Sequence, residues 1–100
     1  MSGLRHISLI TFAGVAEPVV DEIVAALEAL PAAIPAIARY TVGRDLGLQE
    51  GNATVAVVGD FASADDYRIY AAHPAHVAVL DNHIRPHMTA LTRTQIPLSS

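Results

Sequence analysis

The chain of 100 residues contains no cysteine, tryptophan or lysine. Without cysteine there is no disulfide, no thiolate nucleophile, no thiolate zinc site and no iron–sulfur ligation. Without lysine, positive charge rests on six scattered arginines (5, 39, 44, 68, 85 and 93) against ten acidic residues, for a net charge of −4. Binding to nucleic acid or to an anionic membrane surface draws on clustered cations, so neither is expected as a partner. No apolar run reaches the roughly 18 residues of a membrane span. Arg5 followed by Ile7 to Ala16 has the outline of an export leader, but His6, Ser8 and Thr11 interrupt it with strand-like alternation. A cytoplasmic location is therefore expected.

What remains is aliphatic. Hydrophobic residues make up 52% of the chain, mean hydropathy is +0.38, and there are 18 alanines. That composition excludes disorder, and together with the missing lysine it fits a GC-rich bacterial genome. The length suits one domain, residues 1–100, with no linker or charge block dividing it. A chain this short buries only about two-thirds of its unfolded surface, less than its composition calls for. The excess points to a second subunit.

Arg5 to Phe12 reads as a first strand, with Ile7, Leu9 and Thr11 on one face and His6, Ser8, Ile10 and Phe12 on the other. Pro18 suits a first helical position, and Val20, Ile23, Val24, Leu27 and Leu30 then form one helical stripe that Pro31 and Pro35 should end. Ala38 to Asp45, with Tyr40, reads as a second strand, Gly47 to Asn52 as a turn, and Thr54 to Phe61 as a third strand. Ser63 with Asp66 resembles a capping box opening a helix through Tyr67 and Tyr70. Pro74 breaks that helix and opens another, carrying Val77, Leu80 and Ile84, before a last strand from Thr89 to Ile96.

The order β-α-β-β-α-β is that of a ferredoxin-like α+β sandwich, with helices on one face of a four-stranded antiparallel sheet. Two helices cover only one face, yet both faces carry apolar residues: Ile10 and Phe12 but also Ile7 and Leu9, Val55 and Val57 but also Ala56 and Val58. Two uncovered faces packed about a two-fold axis would solve this as a homodimer, a dimeric α+β barrel.

Four of the five histidines fall between 73 and 87. His76 and His83 are seven apart, about 10 Å along a helix, and cannot share an ion. His83 and His87 have chelating spacing, but Pro86 interrupts it, so no metal site is expected. The segment Tyr70-Ala-Ala-His73-Pro74-Ala-His76 differs. Pro74 fixes the chain between two imidazoles, and a phenol precedes the first by one helical turn. A histidine is the usual general base, and a tyrosine hydroxyl can hold a developing oxyanion. That pairing suits proton removal beside a carbonyl, which needs no cofactor; a helix cap or a structural histidine is the plainer reading of the same residues. No G-x-S-x-G elbow and no phosphate loop are present. Asp65 and Asp66 read as first-turn helix charges, and Asp81 with Arg85 as a surface ion pair.

Taken together, Arg5-His6-Ile7, Ala29-Leu-Pro31 with Ile34-Pro35, Gly43-Arg-Asp45 and above all His73-Pro74-Ala75-His76 resemble the stress-responsive A/B barrel (Dabb) family, from residue 4 to about 96. The resemblance implies a ferredoxin-like subunit in a dimeric barrel. One member of that family, the plant olivetolic acid cyclase, closes a linear polyketide by aldol condensation without a cofactor. Its Asp-Tyr-x-x-His-Pro-x-His pattern is similar to Tyr70, His73, Pro74 and His76, and its strand-one histidine to His6. Ile69 stands where that pattern has Asp, and Val55 where the cyclase's third strand has His. The resemblance implies His76 as general base and Tyr70 as its partner on the substrate oxygen, with His6 and His73 bordering the same cavity. Phe12 and Tyr40 are further candidates for ligand contact.

Three functions are in contention. The first is a stress-associated homodimer holding a small carbonyl-rich or aromatic, polyketide-like ligand without chemistry. The second is a cofactor-free polyketide cyclase or lyase with His76 as base, and the third a cofactor-free monooxygenase.

Overall fold

The computed structural model describes residues 3–98, which form β1 (Leu4–Phe12), α1 (Glu17–Glu28), α2 (Leu30–Ala33), β2 (Arg39–Arg44), β3 (Val55–Phe61), α3 (Ala64–Ala72), α4 (Pro74–Val79) and β4 (Met88–Pro97). The strands make one antiparallel sheet in the order β2-β3-β1-β4. This is the ferredoxin-like α+β arrangement. The two-residue period of β1 sends His6, Ser8, Ile10 and Phe12 toward the helices, where all four are buried.

Val20, Ile23 and Leu27 on α1 complete the core with Leu30, Ile34, Val55, Val57 and Phe61. Each such side chain contributes about 1.5–3 kcal/mol by leaving water, an upper bound because the unfolded chain is already partly collapsed.

Two helix ends differ from the sequence expectation. The first helix stops at Glu28 rather than at the prolines, with Ala29 closing it through an N–H bond to the Ala25 carbonyl at 3.1 Å. Pro31 instead opens α2, whose first turn needs no N–H from it. The helix after Pro74 is not continuous either. From Leu80 to Ile84 it widens into a π-helical turn, and the Arg85 N–H bonds the Leu80 carbonyl at 2.8 Å. The capping expectations hold: Ser63 Oγ accepts from the Asp66 N–H at 3.1 Å, and Asp65 and Asp66 sit in the first turn of α3.

The outer face of the sheet carries no helix. Registered across it are Ile7 beside Val58 and Thr94, Leu9 beside Ala56 and Thr92, and Arg5 beside Asp60 and Ile96. Leu9 is 41% and Ile96 45% exposed. Arg5 grips Asp60 with two bonds, of 2.8 and 3.0 Å, and holds that carboxyl below the usual carboxylate range chiefly through them. The β2–β3 connection turns at Gly47 and Gly51, both at positive φ, and leaves Leu46 and Leu48 84% exposed.

Candidate functional site

Between β1, β3 and β4 on one side and α3, α4 and the π-helical turn on the other lies a cavity of about 420 Å³. Its polar end gathers His6 and Ser8 from β1, Tyr67 and Tyr70 from α3, and His76 from α4; Ile10, Val57 and Leu80 are among its apolar walls.

The sequence places these groups by local means. His73, the C-cap of α3, is also the N-cap of α4, where its Nδ1 accepts the Ala75 N–H at 3.0 Å. With Pro74 in the first turn, this junction changes the chain direction and lays the His76 ring against Tyr70, centroids 4.3 Å apart. Gly59 matters on the sheet side. A Cβ there would lie 3.1 Å from the rings of both Tyr40 and Phe61, so the absent side chain lets Tyr40 pass beneath and meet Tyr70, oxygen to oxygen, at 2.8 Å.

The two cavity imidazoles are fixed in opposite senses. His76 Nδ1 faces the Ala71 carbonyl at 3.0 Å; a carbonyl only accepts, so Nδ1 carries the proton and Nε2 keeps a lone pair. His6 Nδ1 faces the side-chain amide nitrogen of Gln95 at 2.9 Å; that nitrogen only donates, so the neutral His6 ring carries its proton on Nε2. Burial lowers both pKa values. His6 falls to about 4, through desolvation first and then the nearby charges of His76 and Arg93. His76 is lowered by desolvation, with the Ala71 bond opposing and Arg85 and His73 adding to the fall. Both rings are thus neutral at pH 7, one offering a base and the other a donor. Burial pushes Tyr70 up to about 12, while the bond from Tyr40 works against that rise. Tyr40 is raised as well, by burial first and then by the adjacent Tyr70.

Of the residues named from sequence, Tyr70, His76 and His6 meet at the cavity. Tyr40 touches it through Tyr70. His73 and Phe12 do not line it: His73 is the cap of α4, and Phe12 belongs to the core, its N–H bonded to Thr54 Oγ1 at 3.0 Å. Ser8, Tyr67 and Arg93 also line the cavity, and Gln95 bonds His6, although the sequence singles none of them out for the site. Ser8 shares the inward alternation of β1 with His6, and Gln95 and Arg93 share an inward alternation on β4. That pattern was the available signal.

The profile of the stress responsive A/B barrel domain (Dabb) matches residues 4–95. A dimeric ferredoxin-like protein of unknown function from Thermobifida fusca YX is 40% identical, over 97% of this chain and 92% of its own, with a TM-score of 0.89. A dimeric protein of unknown function and ferredoxin-like fold from Bacteroides fragilis NCTC 9343 is 26% identical over 98% of both chains, with a TM-score of 0.86. The hydroxynitrile lyase from Passiflora edulis shares the fold at 18% identity, over 98% of this chain and 94% of its own, with a TM-score of 0.84. A search of curated proteins gave no significant match.

Proposed function

Because the chain belongs to the stress responsive A/B barrel domain family, we propose that it acts as a homodimer whose cavity holds a small carbonyl-bearing or aromatic ligand, with His76 as the base that moves a proton on it. The observation that carries this reading is the bond from His76 Nδ1–H to the Ala71 carbonyl, which leaves Nε2 as an unprotonated base beside Tyr70. Tyr70, receiving a bond from Tyr40, can turn its own proton to a substrate oxygen, and His6 Nε2–H supplies a second donor.

This set suits aldol or lyase chemistry without a cofactor, the former being polyketide ring closure. For a hydroxynitrile, the class named by the Passiflora edulis neighbour, His76 would take the hydroxyl proton as the bond to the nitrile carbon breaks. Cyanide would leave with that electron pair and take the proton back from His76, giving an aldehyde or ketone and hydrogen cyanide.

The test is twofold: deuterium uptake from D2O beside the carbonyl of aryl methyl ketones, and cyanide release from mandelonitrile. The wild type should accelerate at least one, and His76→Ala should lose that acceleration by about 100-fold, the usual scale of a general base. His83→Ala, outside the cavity lining, should keep it. Wild-type rates equal to buffer, with ligands still binding saturably, would leave a holder without chemistry.

Self-association is supported by the uncovered outer face. It carries a groove of about 350 Å³ beside Leu9, Ala56 and Val58, and the relatives from Thermobifida fusca and Bacteroides fragilis are described as dimeric. Light scattering should give twice the chain mass for the wild type and a monomer for Leu9→Arg.

A further inference from the structure

The charge on the cavity runs against that of the chain. The protein carries a net −4, yet no described residue lining the cavity is Asp or Glu, while Arg85 and Arg93 both line it. Arg85 is paired with Asp81, although its charge still reaches His76. Arg5, Arg44 and Arg68 are likewise paired with carboxylates, and Arg39 adds its charge beside Asp60. Arg93 has no acidic partner among the described residues. It lies on the edge strand, opposite the buried Ser8, so its guanidinium stands at the open side of the cavity with a hydroxyl across from it. Its charge reaches inward far enough to act on His6.

We infer that Arg93 binds the carboxylate of the ligand, so that the cavity takes a small organic acid whose carbonyl or aromatic end lies among Tyr70, His6 and His76. One unpaired guanidinium matches one negative charge and can grip a carboxylate with two parallel bonds. A phosphate monoester, close to doubly charged, would need a second cation and would have to compete with Asp81 for Arg85. The inference rests on reading the cavity as a ligand site, and the experiment separates the two.

Isothermal titration calorimetry would compare 3-benzoylpropionate with its methyl ester and with the neutral ketone butyrophenone, on the wild type, Arg93→Gln and Arg68→Gln. Arg68 is exposed and paired with Asp65, so Arg68→Gln controls for net charge alone. The acid should bind the wild type about tenfold more tightly than the ester, a gap in keeping with a single charge-assisted contact open to solvent. Arg93→Gln should erase that gap by weakening the acid only, and Arg68→Gln should preserve it. Equal affinity for acid and ester, or a gap surviving in Arg93→Gln, overturns the role of Arg93 and leaves the cavity reading standing. Binding of neither the acid nor the neutral compounds overturns both.

Discussion

Beneath α1 and α2 the layer between sheet and helices is filled, whereas beneath α3, α4 and the π-helical turn it is left open and lined with polar groups. On the filled side Ile34 is 0%, Val55 1% and Ile23 1% exposed, and Arg44 of β2 is tied to α1 through Glu17 and Asp21. On the open side His6, Ser8 and Arg93 line the cavity, Gln95 is bonded to His6, and the covering element is a short helix followed by a π-helical turn. The packed core and the candidate site therefore sit under different helices on one small sheet. The filled half can anchor groups whose burial costs the other half something, since desolvation already holds two imidazoles away from their charged forms.

The sharpest way to break this comparison is to hollow the filled half. Ile34→Ala should cost about 3 kcal/mol in urea unfolding, from lost transfer energy and the cavity left behind, while His76→Ala should cost less than about 1 kcal/mol there and remove the function. A comparable loss from both variants would mean that the two halves are not separate.

Acid should strike the open half next. The unfolded His6 ring binds a proton near pH 6.5 and the folded ring only near pH 4, so between these values the unfolded state carries more protons and stability rises with pH. Lowering the pH from 7 to 4 should therefore lose about 3 kcal/mol, with little further loss from this residue below pH 4. The loss should shrink in His6→Gln. An equal loss in that variant would shift the cause to the carboxylates.

Gln95→Glu sharpens the comparison without emptying the site. A carboxylate accepts where the amide donated, which should move the His6 proton to Nδ1 and raise its pKa by more than one unit, read by proton–nitrogen NMR of the ring. An unchanged titration would remove Gln95 from its assigned place. The smallest effect belongs to Tyr40→Phe. Deprived of that hydroxyl, Tyr70 should rise further in pKa, and cavity ligands should weaken by only a few-fold in calorimetry.

Local rules carried the fold and half of the site. The period-two pattern of β1 put His6 inward without help from the rest of the chain, and Pro74 with His73 defined the junction that presents His76. The other half is a matter of register. Gln95 meets His6 across 89 residues of sequence, and nothing near either residue states that β4 aligns them. Tyr40 and Tyr70 meet because Gly59, on a third element, leaves room. The early stop of α1 escaped a reading based on prolines because Pro31 is as acceptable at the start of a helix as after its end.

The π-helical turn from Leu80 to Ile84 has an evolutionary reading. It holds one residue more than an α-helical turn would, so the cavity wall is a single inserted residue away from an ordinary helix. Deleting Asn82 would restore regular winding, because the bond that now closes over five residues would close over four and the residues beyond it would keep their phase. Ile84 and Arg85, which both line the cavity, would stay on it while the wall between Leu80 and Ile84 tightened. A one-codon change could therefore reshape the binding space while leaving the sheet, its register and the caps of α3 and α4 as they are.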